Sequence, residues 1–116
     1  MRVHFLIAAA VLVSACGGSD STTTPGANKT VDVYTIGDSF VEAYISIKPG
    51  DTVRWNFSGG SDGQGHNVRF SPRTSASPSD INVLKTGTAT RVFTAAGTYS
   101  YVCDVHPGMN AQVVVE

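Results

Sequence analysis

The chain has 116 residues, which suffices for one domain with a tail. Its formal net charge is -1 and 15% of its residues are charged, without any run of Lys or Arg, so nothing indicates a nucleic-acid partner. Gly, Ser and Thr are abundant and long helix-forming stretches are missing, a composition that favours strands and turns.

The N-terminus has the pattern of an export signal. Residues 1–4 form a short, positively charged region, and the apolar run 5–13 is too short to span a bilayer but fits the h-region of a signal peptide. Val13-Ser14-Ala15-Cys16 resembles the lipobox of bacterial lipoproteins, with Val where Leu is usual. We therefore predict a signal peptide over residues 1–15 and lipidation of Cys16. The alternative is an ordinary signal peptide, with Cys16 incidental.

A flexible linker is expected next, over residues 16–29, because this stretch is rich in Gly, Ser and Thr and lacks large apolar side chains. Such a coil has a root-mean-square reach of about 20 Å. A lipid at Cys16 would then tether the remaining domain, residues 30–116, to the periplasmic or outer surface of a membrane. The domain has roughly 90 residues, a size at which folding buries enough apolar surface for a stable core but leaves little excess.

Within the domain, short stretches of period-two alternation predict strands with one apolar face. The alternating positions are Val31, Val33 and Thr35; Ile45 and Ile47; Val53, Trp55 and Phe57; His66, Val68 and Phe70; and Tyr99, Tyr101 and Cys103. Further strands are predicted over 81–84, 90–94 and 112–115, with a tight turn at 48–51. Seven or eight short strands without a convincing helix predict an all-β fold, a two-sheet antiparallel sandwich.

Two loops stand out between these strands. Residues 58–65 are glycine-rich, but a phosphate-binding loop would end in Gly-Lys-Ser/Thr and open a helix, and neither feature is present. Residues 71–80 contain prolines and serines and should form an exposed loop. Because a sandwich gathers its loops at two ends, the loop before His66 and the loop after Cys103 can lie together.

The chemistry is concentrated in Cys103, His106 and Met109, which form a C-x-x-H-x-x-M motif. A His2Cys set with a weak axial Met is the signature of a blue-copper site, and His66 offers the second imidazole. Singly, each residue has a simpler explanation: a buried thiol, a solvated loop histidine, a core methionine and a hydrogen-bonded core histidine.

The two cysteines are Cys16 and Cys103, and we argue against a disulfide between them. Cys16 belongs to a processing signal, and Cys103 is needed as a free thiolate. The single usable cysteine also excludes a zinc ribbon and a dinuclear copper site of the oxidase type.

Taken together, these motifs resemble the cupredoxins, in particular the plastocyanin, amicyanin, pseudoazurin and halocyanin-like group. The resemblance runs from about Phe40 to Val115 and is carried by Ile45-x-Ile47-x-x-Gly50-Asp51-Thr52-Val53-x-Trp55, Gly65-His66-Asn67-Val68 and Gly97-Thr98-Tyr99-x-Tyr101-x-Cys103-x-x-His106-x-x-Met109. Two features depart from the family: Ala111 stands where Gly is frequent, and the glycine-rich loop before His66 is looser than in plastocyanins, nearer to halocyanin-like proteins.

The resemblance implies a cupredoxin-like Greek-key sandwich that holds one type 1 copper ion. His66, Cys103 and His106 would be the trigonal ligands and Met109 the long axial contact. Asn67 would tie the two ligand loops together. The edge of His106, beside Pro107, would reach the surface in an apolar patch and serve as the electron port.

These features predict a lipid-anchored, extracytoplasmic one-electron carrier, monomeric and in transient contact with redox proteins. An enzyme is not expected, because additional copper sites need more histidines and His4 leaves with the signal peptide. The alternative function is a copper-binding module for delivery, storage or resistance, although such proteins usually leave a ligand position open. A zinc site with the same residues is a weaker possibility.

Overall fold

A computed structural model describes residues 27–116, which form nine β-strands. The strands are β1 (Thr30–Ile36), β2 (Ser39–Val41), β3 (Tyr44–Ile47), β4 (Thr52–Phe57), β5 (His66–Phe70), β6 (Ile81–Leu84), β7 (Gly87–Val92), β8 (Gly97–Val102) and β9 (Asn110–Val115). The described part of the chain has no helix, and therefore none that could cross a bilayer.

The strands form two sheets, and the predicted all-β sandwich is confirmed. One sheet has the order β2-β1-β4-β7 and the other β3-β9-β8-β5-β6. Two details differ from the prediction. There are nine strands rather than seven or eight, because the three-residue β2 was missed. The sheets are also mixed, since β1 pairs with β4 and β3 pairs with β9 in parallel.

The core lies between the sheets and is built from the alternating positions of the strands. Trp55 is fully buried, and its ring meets Tyr101 and Phe70 edge to face, at centroid distances of 5.5 and 6.4 Å. Such aromatic pairs contribute beyond the area that they bury. Cys103 and Met109 belong to the same buried cluster, so the predicted ligands rest on the core.

Strand directions bring several loops to one end of the sandwich. The parallel pairing of β1 with β4 places the β1–β2 turn beside the β4–β5 loop. The antiparallel pairing of β5 with β8 then places the start of β5 beside the loop that follows β8. We call this end, with the turn 37–38 and the loops 58–65 and 103–109, the site end.

The predicted signal peptide, the lipidation site Cys16 and most of the linker lie outside the described residues. The linker was predicted to end at Lys29. In the structure the backbone of Lys29 already bonds to the domain: its amide donates to Asp51 Oδ1 at 2.9 Å, and its carbonyl accepts from the Thr52 amide at 2.9 Å.

Candidate metal centre

The site end brings together three of the side chains that the sequence singles out. His66 is the first residue of β5, Cys103 directly follows β8, and His106 lies in the loop between β8 and β9. Alternation directs His66 inward together with Val68 and Phe70, and Cys103 inward together with Tyr99 and Tyr101. All of these side chains are buried, as the period-two pattern predicts.

The three potential ligand atoms form a compact triangle. Sγ of Cys103 lies 3.8 Å from Nδ1 of His66 and 3.8 Å from Nδ1 of His106, and the two nitrogens are 3.1 Å apart. The point equidistant from the three atoms is about 2.1 Å from each, close to the lengths of zinc bonds to nitrogen, about 2.0–2.1 Å, and to sulfur, about 2.3 Å. The triangle therefore fits one metal ion, and its thiolate and imidazole donors suit copper.

The pKa values of the two imidazoles are shifted in opposite directions. Burial lowers the pKa of His66, and the nearby His106 lowers it further. The hydrogen bond to Asp62 raises the pKa of His106, with Cys103 acting in the same direction. A histidine must be neutral at the nitrogen that binds a metal, so the environment of His66 favours the ligating form.

Met109 closes the loop that carries Cys103 and His106. Its amide donates to the His106 carbonyl at 3.2 Å, and its carbonyl accepts from the Cys103 amide at 3.0 Å. Its side chain is buried in the core. The predicted axial residue therefore lies at the site end, with its backbone bonded to both loop residues of the triangle.

Asn67 joins the two segments that carry the triangle. Its Oδ1 accepts from the backbone amide of Asp104 at 2.7 Å, and its Nδ2 donates to Asp104 Oδ2 at 3.0 Å. Arg69 Nε donates to the other carboxylate oxygen at 2.6 Å. The bonds from Asn67 and then Arg69 hold the pKa of Asp104 below its usual range. The sequence did not suggest the participation of Asp104 and Arg69.

The outer edge of His106 has different surroundings from the apolar patch that the resemblance implies. Nε2 of His106 lies 3.0 Å from Asp62 Oδ1 and 3.4 Å from Asp38 Oδ1, and the side chain is only 8% exposed. Neither aspartate was predicted as a site residue. The local signal was weak, because each follows or precedes a glycine in a turn, as many surface aspartates do.

Comparison with known proteins identifies the family that this site resembles. A model of copper binding proteins, the plastocyanin/azurin family, matches residues 27–116. Amicyanin from Paracoccus denitrificans is 36% identical over 74 residues, which are 62% of this chain and 54% of that protein. The chain thus matches about half the length of this curated relative.

Solved structures share the fold. An oxidized mutant of amicyanin has a TM-score of 0.64 at 30% identity, covering 74% of this chain and 81% of the amicyanin chain. A copper-containing nitrite reductase from Thermus scotoductus has a TM-score of 0.65 at 25% identity, with 75% of this chain matching 22% of the reductase. With the buried Cys, His and Met residues of the site end, these matches are consistent with one type 1 copper ion as the cofactor.

Proposed function

This chain is a cupredoxin of the plastocyanin/azurin family of copper binding proteins, and on that premise we propose that it carries single electrons between redox partners. We assign His66, Cys103 and His106 as the trigonal copper ligands and Met109 as the axial contact. The observation that carries the proposal is the buried triangle of Cys103 Sγ and the two Nδ1 atoms, with sides of 3.8, 3.8 and 3.1 Å.

The protein's own contribution is to hold the ligand side chains rigidly and away from solvent. Bound copper would supply the one-electron chemistry. Of the four proposed ligands, His66 begins β5, Cys103 directly follows β8 and Met109 directly precedes β9. His106 lies in the loop between Cys103 and Met109, which is held by Asn67 and by the backbone of Met109. Because packed interiors resist displacement, the ligand positions should change little when the charge of the site changes. His106, beside Pro107, is the ligand nearest the surface and the proposed electron port.

The ligand count favours a carrier over an enzyme. The chain has three histidines: His4 lies in the predicted signal peptide, and the other two are assigned to this site. The nitrite reductase is matched over only 22% of its chain, so the likeness extends to one of its domains. A copper-handling module would share the ligands, but it would release the metal as part of its function.

Visible spectroscopy and voltammetry of the copper-loaded chain test the proposal. We expect an intense blue band from thiolate-to-copper charge transfer, and its loss in Cys103→Ser. We also expect a reversible one-electron couple during which copper stays bound. A colourless copper complex of the unmutated chain would refute the assigned ligand set. Release of the metal on reduction would refute the electron-carrier function and favour the copper-handling function.

We further propose that the domain, residues 30–116, acts outside the cytoplasm as a monomer, tethered to a membrane by a lipid on Cys16. The support is the lipobox-like Val13-Ser14-Ala15-Cys16 and the linker that follows it. Transient redox contacts are small, and a linker leaves the domain free to reach more than one partner. Mass spectrometry of the chain from a bacterial membrane fraction should find a diacylglycerol group on Cys16, whereas recovery of Cys16→Ser and the unchanged chain in the same soluble fraction would contradict the anchor.

A further inference from the structure

The imidazole of His106 is held between the triangle on one side and two carboxylates on the other. Its Nδ1 faces Cys103 and His66, while its Nε2 faces Asp62 Oδ1 at 3.0 Å and Asp38 Oδ1 at 3.4 Å. Asp62 comes from the β4–β5 loop and Asp38 from the β1–β2 turn. Two separate segments therefore converge on the outer edge of one proposed ligand.

Both carboxylates are themselves fixed by hydrogen bonds from the loop 58–65. Asp62 Oδ1 accepts from the Gln64 amide at 2.9 Å. Asp38 Oδ1 accepts from the Ser61 amide at 2.9 Å, and its Oδ2 accepts from the Ser61 hydroxyl at 2.6 Å. Residues of the loop 58–65 thus orient both carboxylates, because Gln64 bonds to Asp62 and Ser61 bonds to Asp38. The oxygens that face His106 are therefore not the ends of freely rotating side chains.

Gly60 lets the loop approach the ring. A β-carbon at this position would come within 2.6 Å of His106 Cε1 and 2.7 Å of its Nε2, so any larger residue would force the ring or the loop to shift. Packing against His106 therefore explains the glycine at position 60 of the loop 58–65. The contact brings the loop that carries Asp62 onto the ring.

The donor and acceptor inventory fixes the tautomer of the ring. An ionised carboxylate only accepts hydrogen bonds, so Nε2 of His106 must carry the proton that bonds to it. In a neutral imidazole the other nitrogen, Nδ1, then has the free lone pair, and this is the nitrogen that points into the triangle. Partners of this kind orient metal-binding histidines and raise their basicity.

We propose that Asp62, supported by Asp38, is a positioning residue for His106: it fixes the ring with Nδ1 toward the metal, and its negative charge stabilises the oxidised over the reduced site. The inference rests on the proposed function, because it assumes that His106 binds copper. A negative charge behind a ligand favours the more positive oxidation state, so its removal should raise the reduction potential.

The test compares three variants at Asp62 with a matched control. Asp62→Asn and Asp62→Ala remove the charge, Asp62→Glu retains it, and Asp80→Asn removes a similarly exposed carboxylate that pairs with Arg73 away from His106. In the copper-loaded proteins we expect voltammetry to show a higher potential for Asp62→Asn and Asp62→Ala, and a potential near that of the unchanged chain for Asp62→Glu and Asp80→Asn.

A second readout reports on the hydrogen bond itself. In nitrogen-15 spectra of the Cu(I)-loaded protein, the Nε2 proton of His106 should exchange slowly with water, and faster in Asp62→Ala. Equal exchange and equal potentials in Asp62→Ala and the unchanged chain would overturn the positioning role, as would an equal potential shift in Asp80→Asn. These outcomes are distinct from failure of the proposed function, in which the unchanged chain itself would lack the blue band or the reversible couple.

Discussion

Asn67 and Asp104 are joined by a pair of hydrogen bonds that spans the two segments of the site. The backbone amide of Asp104 donates to Asn67 Oδ1 at 2.7 Å, and Asn67 Nδ2 donates back to Asp104 Oδ2 at 3.0 Å. Each partner is the immediate neighbour of a proposed ligand, His66 and Cys103 respectively. The pair therefore fixes the distance between the start of β5 and the loop after β8.

Replacing Asn67 with Ala should loosen this link. We expect a loss of about 1–3 kcal/mol in the free energy of unfolding, because the change removes two hydrogen bonds, one of them to a charged group. Copper should also transfer to a competing chelator faster than from the unchanged chain. Denaturant unfolding and stopped-flow loss of the blue band measure the two effects. Asn82→Ala, an exposed change in β6, is the control, and equal copper-loss rates in the two variants would contradict the role of Asn67.

The inward direction of the ligands could be predicted from the sequence because it depends on a local property. Side chains alternate along a strand, so His66 shares a face with Val68 and Phe70 wherever the strand lies. The sandwich also follows from the number of short alternating stretches. The direction of strand pairing could not be predicted in this way, because a strand shows the same alternation whether its neighbour runs parallel or antiparallel to it. The parallel pairs β1–β4 and β3–β9 could not be predicted for this reason.

The carboxylates at His106 depend on non-local geometry. Asp38 and Asp62 lie 24 residues apart in the sequence, Asp38 in the turn after β1 and Asp62 in the loop after β4. They come together only because β1 and β4 are parallel and end at the same end of the sandwich. Their local sequences, Ile36-Gly37-Asp38-Ser39 and Ser61-Asp62-Gly63, are typical of ordinary turns. The strand β2 was missed for a related reason, since three residues with one buried position, Phe40, show no period.

Met109→Leu tests the axial assignment. The blue colour should remain, because it comes from the thiolate of Cys103 and not from the thioether. The reduction potential should rise, since the axial sulfur helps to stabilise Cu(II) and leucine fills a similar volume without a donor. Absorption spectroscopy and voltammetry measure both. Loss of the colour, or a potential that is unchanged or lower, would contradict the assignment of Met109 as the axial ligand.

Asp38 and Asp62 should also make electron exchange at His106 sensitive to the charge of the reagent. Oxidation of the reduced protein by a trivalent cation, tris(phenanthroline)cobalt(III), should slow as salt increases, whereas oxidation by the trivalent anion hexacyanoferrate(III) should accelerate. Stopped-flow measurements between about 10 and about 300 mM ionic strength span the range over which screening becomes complete at these distances. The double variant Asp38→Asn, Asp62→Asn should weaken both trends. Salt dependences that match those of the unchanged chain would show that electrons leave elsewhere.

Asp51 provides an acid-sensitive contact at the end of the sandwich opposite the metal centre. The residue is only 5% exposed. Its Oδ1 accepts a hydrogen bond from the Lys29 amide and its Oδ2 accepts one from the Lys48 amide, both at 2.9 Å. The bond from the Lys48 amide, and then that from Lys29, lowers the pKa of this carboxyl below its usual range. The contact holds the first strand to the turn between β3 and β4.

Because the folded pKa lies below the unfolded one, the carboxylate stabilises the fold at a pH above the unfolded value of about 3.9, and this contribution is lost as the pH falls through the folded pKa. Asp51→Asn should therefore unfold at lower denaturant concentration than the unchanged chain at pH 7, since its NH2 group would face one of the two amides and only one oxygen could accept. The difference between the two chains should narrow as the pH falls below about 4, where the unchanged chain loses its own ionised acceptor. Both chains have the same metal site, so its acid sensitivity cancels when their stabilities are compared at the same pH. A difference of the same size at pH 7 and pH 3 would show that Asp51 acts through its shape rather than its charge.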